Sequence, residues 1–336
     1  MSQTDYLYLL HNHIDITKVP FSDRGSRLLL FKNTYQPALY VKLAERLTRL
    51  ESDIEAYLNR TPFLQQLFLI DGEGNNLDFE VISAPHMLVL QTIIGDFKIL
   101  FQDLRTLAFG IPDKVECGMR FHVFPQYWRS TSEGGKFISV RDLFYSTNAD
   151  VKLNRIVPVE GGYEVDFRIK NGRDSIISIG IHDLTIEKAP LTKFSILRHA
   201  AEQRWRSWFE KIPDVAPKYA YTYAYAWWVM ANNLISPQGK VIYEAMMPSK
   251  LGYVGLWLWD NAMHALAYRH IDPELARNQI RSILAYQFPN GMLPDAVFDE
   301  GVVSTLNHPI TGEGDIPCLK KVDRQICCRT TGKDII

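Results

Sequence analysis

The sequence predicts a chain of two parts, a β-sandwich-like part followed by a helical part. Across roughly residues 1–190, short apolar runs alternate with Gly, Asn and Asp turn signals, a pattern typical of a sandwich of short strands. After Ala189-Pro190 the apolar residues recur every three or four positions, which is the period of an α-helix. A chain of 336 residues, 46% of them hydrophobic, is long enough to give both parts a core.

The candidate strands of the first part are apolar runs that end at turn signals. They lie at residues 27–31, 64–70, 79–82, 163–169 and 175–184. Two stretches depart from this pattern. Residues 41–58 place their leucines and Ile54 on one helical face, which predicts a helix. Residues 91–107 are apolar enough for a strand or a helix, and the sequence favours neither.

The second part begins with a predicted linking helix over residues 192–209. Residues 218–235 alternate Tyr with Ala at a period of two, yet their length and alanine content favour a buried helix. Two more helices are predicted over residues 259–270 and 273–288. The last has Asp272 as its N-cap and Pro273 in its first turn. Its predicted apolar face consists of Ala276, Ile280, Ile283 and Leu284.

Charge and composition exclude several classes of partner. The net charge of −1 offers no basic surface for nucleic acid, and no apolar run approaches the length of a membrane span. Residues 1–8 lack the basic and apolar regions of a secretion signal, so we expect a cytoplasmic protein. Aromatic residues make up 12% of the chain, which suits either sugar binding or a large aromatic core.

No cofactor and no metal site is predicted. His11 and His13 have the spacing of two ligands on a strand face, but no third ligand follows nearby, so a surface pair is favoured. Cys318, Cys327 and Cys328 lie near the C-terminus without the usual spacing of zinc ligands. The cysteines therefore predict reduced thiols rather than a disulfide framework.

Residues 252–301 contain the side chains that could carry chemistry. A sugar pocket needs flat apolar walls, together with carboxylates or amides that accept hydrogen bonds from hydroxyls. Tyr253, Trp257 and Trp259 supply flat rings around a predicted junction of loop and helix. Asp260 falls in the first turn of that helix, where free backbone N–H groups stabilise a carboxylate. From spacing alone a plainer interpretation stays open, in which Asp260 is an ordinary helix-start acid and the Trp residues are core.

Further polar residues follow the next predicted helix. They are Gln287, Asn290-Gly291-Met292 with Pro294, and the acids Asp295, Asp299 and Glu300. We expect these acids to provide loop polarity and subsite contacts rather than acid–base catalysis.

Three motifs together resemble a known family. They are Tyr253-x3-Trp257-x2-Asp260, Gln287-x2-Asn290-Gly291-Met292-x-Pro294, and His308-Pro309-Ile310-Thr311. This series resembles the start of the barrel in mannosylglycerate hydrolases and family-63-type α-glucosidases, which are six-hairpin glycosidases. Residues 20–27, Pro-Phe-Ser-Asp-Arg-Gly-Ser-Arg, also resemble the segment that leads into the β-sandwich before such barrels. The likeness is close over residues 252–311 and loose over most of the rest.

The resemblance implies a fold, a reaction and a set of binding residues. The fold is an N-terminal β-sandwich (1–190), a linker helix (191–217) and the first hairpins of an (α/α)6 barrel (218–311). Tyr253, Trp257 and Asp260 line the subsite of the terminal sugar, while Gln287, Asn290 and the 308–311 turn shape the barrel mouth. The reaction is inverting hydrolysis by two carboxylates that stand roughly 6.5–9.5 Å apart. In the relatives both carboxylates lie further along the barrel, so neither is assigned here.

The family pattern is expected to end at Thr311, where Gly312 and a tail over 312–336 follow. Since twelve helices with their connections need roughly 200 residues, we expect a truncated barrel. The sequence therefore predicts an exo-acting, inverting glycoside hydrolase that is incomplete and inactive alone, acting on a carbohydrate or glycoside. A non-catalytic carbohydrate-binding protein remains the alternative, because the β part could bind sugar without an acid and a base.

Overall fold

The computed structural model describes residues 5–45, 62–139, 141–170, 172–182 and 191–303. Strands dominate up to residue 182. They are β1 (Leu28–Lys32), β2 (Ala38–Leu43), β3 (Leu64–Asp71), β4 (Glu80–Ala84), β5 (Met87–Thr92), β6 (Gly95–Asp103), β7 (Thr106–Gly110), β8 (Cys117–Val123), β9 (Tyr127–Thr131), β10 (Gly134–Ile138), β11 (Asp142–Thr147), β12 (Val151–Val159), β13 (Gly162–Ile169) and β14 (Ile176–His182).

These strands form two antiparallel sheets that share one core. The first has the order β1-β2-β3-β8-β13-β12 and the second the order β4-β5-β6-β7-β14-β11-β10-β9. Between them, Phe121 of β8 lies edge-on to Tyr145 of β11 with the ring centroids 5.5 Å apart. Each large apolar side chain buried in this way stabilises the fold by roughly 1.5–3 kcal/mol. The β-rich first part is thus confirmed, with strands at every place where the sequence predicts one.

The two ambiguous stretches are explained by pairing. Residues 91–107 contribute to β5, β6 and β7, because each strand hydrogen-bonds the next in consecutive hairpins. The helix predicted over residues 41–58 is wrong at its start. Val41 belongs to β2 and pairs with Leu30 on one side and Leu64 on the other, so the sheet satisfies its backbone. Residues 46–58 lie outside the described residues.

Helices dominate after residue 190, and the four helices predicted there are present with altered bounds. The helix predicted over 259–270 starts one residue earlier, and residues 234–235, predicted as the end of a helix, form a short strand instead. A short helix near the N-terminus, α1 (Tyr6–Leu9), precedes these helices. The others are α2 (Phe194–Phe209), α3 (Ala220–Asn232), α4 (Leu258–Tyr268) and α5 (Pro273–Leu284). None of the helices described here is long and apolar enough to cross a membrane.

Helix α5 begins as the sequence predicts and differs in its buried face. The Asp272 side chain accepts a hydrogen bond from the Leu275 N–H at 3.0 Å, which is an N-cap. Ala276 and Ile283 are buried, whereas Leu284 is 45% exposed. Leu284 was predicted on the apolar face, but it ends the helix and extends beyond the contact with α4.

An aromatic cluster joins the helices to the sandwich core. The rings of Trp208, Trp227 and Tyr268 lie 6.1–6.3 Å apart between α2, α3 and α4. They belong to the same continuous set of buried residues as the interior of the two sheets. The helices are therefore packed on the β part rather than tethered to it.

Five short strands lie within the helical part. They are β15 (Leu234–Ile235), β16 (Ala245–Met246), β17 (Leu256–Trp257), β18 (Ala296–Val297) and β19 (Val302–Val303) in the described residues. The last three form one antiparallel sheet in the order β17-β18-β19. This small sheet holds the start of α4.

Candidate functional site

The candidate site lies where β17 ends and α4 begins. Trp257 pairs with Ala296 of β18, and the next residue, Leu258, starts the helix. The Leu258 N–H donates to the Asp295 carbonyl at 2.9 Å, which ties the first turn of α4 to the chain entering β18. The predicted junction of an extended segment and a helix is therefore present, with Trp257 on one side and Trp259 on the other.

Three aromatic rings meet at this junction. Trp257 lies edge-on to Tyr253 and to Phe298, each with the ring centroids 5.9 Å apart. Trp257 is half-buried, while Tyr253 is 47% exposed. Close packing requires Gly255 here, since an added Cβ would stand 2.5 Å from the Phe298 ring. Phe298 carries no signal in the sequence, because its contact with Trp257 depends on the pairing of β17 with β18.

The Trp257 indole N–H is buried and has no hydrogen-bond partner within the described part of the chain. A buried donor without a partner lowers the free energy of unfolding by about 1–3 kcal/mol, so buried donors are normally paired with a hydrogen-bond acceptor. A hydroxyl of a bound molecule can supply that acceptor.

Asp260 and Trp259 differ in their surroundings. Asp260 lies half-buried in the first turn of α4, as the sequence predicts. Trp259 is 73% exposed, and no ring contact joins it to Trp257 or Tyr253 among the described residues. Asp260 thus follows Trp257 by three residues in a half-buried position, whereas the Trp259 ring extends into solvent.

One face of α4 carries two further buried polar side chains. Asn261 donates from Nδ2 to the Gln279 carbonyl at 3.1 Å, and its Oδ1 has no partner in the described ranges. Burial lowers the pKa of His264 from 6.5 to about 4, and a hydrogen bond with the Met246 backbone acts in the opposite direction. Asn261 and His264 share one face of α4 because they are three residues apart on the helix. The sequence offers no spacing that singles out Asn261, because Trp257 belongs to β17 and its side chain does not follow the helical period.

Gln287 and Asn290 form a turn of their own after α5. Gln287 Nε2 donates to the Gly291 carbonyl at 2.9 Å, and Asn290 Oδ1 accepts from the Met292 N–H at 3.1 Å. Both side chains are exposed, and their hydrogen bonds stay within this turn in the described structure. No hydrogen bond among the described residues joins either side chain to Trp257 or Asp260, so their place in the barrel mouth stays a prediction. The 308–311 turn lies outside the described residues.

Asp299 has a different role from the loop polarity that we expected. Its carboxylate accepts from Arg27 Nε at 3.2 Å and from Arg27 Nη2 at 2.7 Å. Both side chains are nearly buried, at 11% and 4% exposure. Burial raises the pKa of Asp299, and the Arg27 guanidinium opposes that effect. The acid thus anchors the chain between β18 and β19 to the β part.

The described histidines and acids do not gather around a metal position. No three His, Cys, Asp or Glu side chains among them are close enough to hold an ion. His11 and His13 are exposed beside α1, where their rings contact Tyr8 and Tyr221.

Residues 253–326 match the mannosylglycerate hydrolase MGH1-like glycoside hydrolase domain. This match confirms the resemblance drawn over residues 252–311. It also continues past Thr311, where we expected the family pattern to end. The junction of β17 and α4 lies at the start of the matched segment, so this part of the chain is similar to a glycoside hydrolase domain.

Two solved structures share the fold. An inverting mannosidase of family GH92 from Bacteroides thetaiotaomicron is 10% identical, with a TM-score of 0.53, and the match covers 84% of this chain and 46% of the mannosidase. A protein from the human microbiome assigned as a kojibiose phosphorylase is 14% identical, with a TM-score of 0.51, and the match covers 86% of this chain and 51% of that protein. The chain thus spans about half the length of each.

Proposed function

We propose that this chain forms the terminal-sugar subsite of an exo-acting, inverting glycoside hydrolase. In this proposal residues 1–190 are a β-sandwich domain, residues 191–217 a linker, and residues 218–311 the first hairpins of an (α/α)6 barrel. The observation that carries it is the junction of β17 and α4. There the half-buried Trp257 and the first-turn Asp260 stand together inside the segment that matches the glycoside hydrolase domain.

The chemistry of the junction suits a sugar ring. The exposed part of Tyr253 and the neighbouring Trp257 offer flat surfaces for the C–H face of a pyranose. The Trp257 N–H can donate to a ring hydroxyl, and the Asp260 carboxylate can accept from two. Phe298 closes the far side of Trp257, as a pocket for a chain end requires.

Asp260 in this proposal binds hydroxyls and does not transfer the catalytic proton. Its place in the first turn of α4 holds the carboxylate on a regular helix beside Trp257, where its oxygens can accept hydrogen bonds from hydroxyls. Inversion needs a separate acid and base with a water between them, roughly 6.5–9.5 Å apart. The resemblance puts both beyond the residues assigned here.

The test measures sugar affinity by isothermal titration calorimetry with mannose, glucose and maltose. We expect Trp257→Ala and Asp260→Asn each to weaken binding at least tenfold, since one removes the stacking surface and the other a charged acceptor. Glu274→Gln is the matched control, because Glu274 is the first-turn acid of the neighbouring helix α5. Unchanged affinity in both site variants would contradict the proposal.

A second assay separates hydrolysis from binding. Aryl glycosides are incubated with the chain, and the anomer released is followed by proton NMR. We expect sugar binding without hydrolysis from this chain alone, and an inverted anomer from a protein that also carries the acid and base. A retained anomer would exclude the inverting mechanism. Binding without cleavage in the longer protein would favour a non-catalytic carbohydrate-binding protein.

A further inference from the structure

A cavity, the junction cavity, lies where the β part meets α2 and the loop after α3, and it is distinct from the junction of β17 and α4. It has a volume of about 570 Å³. Sites for small molecules occupy roughly 300–1,000 Å³, so the junction cavity is of useful size. Its lining includes neither Trp257 nor Asp260, which separates it from the candidate site above.

The segment over residues 20–27 builds one wall of this cavity. Gly25 adopts φ +81°, which side-chain-bearing residues rarely adopt. Its N–H donates to the Leu234 carbonyl at 3.0 Å, and its carbonyl accepts from the Ser236 N–H at 3.0 Å. This turn fixes Arg24 at the edge of the cavity.

The Arg24 guanidinium is held on two sides. Nε and Nη2 donate to the two carboxylate oxygens of Glu244 at 2.7 and 2.8 Å. The same group stacks over the Trp208 ring at 5.2 Å from the centroid. Such a bidentate, stacked arginine is rigid and still offers its Nη1 hydrogens to a ligand.

A second ion pair stands on the opposite side of the turn. Arg204 of α2 donates to Asp23 at 3.0 Å and to the Phe101 carbonyl at 2.8 Å. Behind it the buried Lys250 donates from Nζ to the Asp23 carbonyl at 3.2 Å. Asp23 is therefore fixed from both sides, with its carboxylate beside the cavity.

The balance of charges defines the kind of ligand. Cationic Arg24, Arg204 and Lys211 line the cavity together with anionic Asp23, Asp103 and Glu244. A phosphate or carboxylate would meet no excess of positive charge, and an amine no excess of negative charge. Hydroxyl groups both donate and accept, so a polyol can use guanidinium donors and carboxylate acceptors side by side.

The apolar residues of the cavity lining are also compatible with a ligand that carries hydroxyl groups. Trp205 and Trp208 are among the residues that line the cavity, although each is largely buried, and the half-exposed Leu104 lines it as well. Flat rings beside fixed polar groups match the C–H faces and hydroxyl edges of a sugar. We propose that the junction cavity binds a neutral sugar of one or two rings, as a second site on this protein. The proposal does not depend on the function proposed for Trp257.

The test begins with a protein in which the first site is silenced by Trp257→Ala and Asp260→Asn. Mannose and maltose are titrated, and binding is followed by saturation-transfer NMR and tryptophan fluorescence. We expect saturable binding with a fluorescence change, because Trp205 and Trp208 line the cavity. Absence of saturable binding would overturn the proposal and leave the Trp257 site unaffected.

Two tryptophan substitutions on α2 locate the binding. Ser207 is exposed and lines the cavity, so Ser207→Trp is expected to fill it and to weaken binding at least tenfold. Gln203, an exposed residue of the same helix outside the lining, gives the matched control Gln203→Trp, which should bind as before. Equal loss in both variants, at unchanged melting temperature, would overturn the assignment.

Two further measurements probe the chemistry. Arg24→Lys keeps the charge and loses the bidentate geometry, so it is expected to weaken maltose binding severalfold. Glucose 6-phosphate should bind no more tightly than glucose. Tighter binding of the phosphate, or no effect of Arg24→Lys, would overturn the neutral-sugar assignment.

Discussion

Arg27 joins the β part to the site through a buried guanidinium. It donates to both carboxylate oxygens of Asp299 and, from Nη1, to the Ser236 carbonyl at 2.9 Å. A desolvated ion pair is tolerated only where further hydrogen bonds satisfy its donors, and that condition is met here. The chain between β18 and β19, with Phe298 beside Trp257, is thereby held in place.

Removing one partner of this pair is expected to be costly. Arg27→Ala leaves the Asp299 carboxylate buried without its counter-charge, so the free energy of unfolding should fall by about 3–5 kcal/mol. Urea denaturation followed by circular dichroism measures the change. The apolar double variant Arg27→Met with Asp299→Leu should recover most of the loss. Equal stability of Arg27→Ala and the unaltered protein would show that the pair contributes nothing.

His264 makes stability depend on pH. Its pKa is about 4 in the folded protein against 6.5 for an ordinary histidine, so the unfolded chain binds a proton first as the pH falls. The free energy of unfolding should therefore rise by about 3 kcal/mol between pH 4 and pH 6.5 through this group. Urea denaturation across this range compares the protein with His264→Gln, which should lose that part of the slope. Parallel pH profiles would contradict the prediction.

At the residue scale, the sequence predicts correctly those features that depend only on residues a few positions away along the chain. The Asp272 cap and the first-turn position of Asp260 follow from spacing along the chain, and both are present. The partners of Asp299 and Trp257 could not be predicted, because Arg27 is 272 positions away and Phe298 meets Trp257 through strand pairing. Whether Gln287 and Asn290 contact sugar stays a prediction.

At the scale of elements, pairing and burial decide between helix and strand. Tyr221, Tyr223 and Tyr225 alternate as in a strand, yet they lie on α3, where Ala220, Ala224 and Ala231 are buried against the core. Small alanines let the helix approach its neighbours, and the larger rings lie at the sides. Leu43 was assigned to a helix from its spacing, but its backbone pairs with Leu28 in a sheet. Periodicity in a short apolar run therefore does not distinguish a helix from a strand.

The N-cap at the start of α5 can be tested by substitution of Asp272. Asp272→Ala removes the side-chain acceptor for the Leu275 N–H, and we expect the free energy of unfolding to fall by about 1 kcal/mol. Asp272→Asn keeps an acceptor at the same place and should cost much less. Thermal unfolding of the two variants provides the comparison. An equally large loss in Asp272→Asn would point to its charge rather than to the cap.

At the scale of the whole molecule, one core runs through both parts. Buried residues from the two sheets and from α2, α3, α4 and α5 form a single continuous cluster. The β part and the helical part are therefore expected to unfold together, as one cooperative unit.

This can be measured with two probes in one protein. Cys117 is fully buried in β8 and reports on the β part through its reactivity with a thiol reagent, once Cys318, Cys327 and Cys328 are changed to Ser. Trp205, Trp208 and Trp227 report on the helical part through fluorescence, once Trp128 of β9 is changed to Phe. The two urea midpoints should coincide. Separate midpoints would show that the parts unfold independently.

The pairing of Arg27 with Asp299 also has a consequence during synthesis on the ribosome. The two residues are 272 positions apart, and chains grow at about 5–20 residues per second, so Arg27 emerges on the order of 10–60 s before its partner. During that interval Arg27 has no counter-charge from Asp299, and a buried unpaired cation is costly. We therefore expect the segment over residues 20–27 to stay hydrated on the ribosome until Asp299 has been translated.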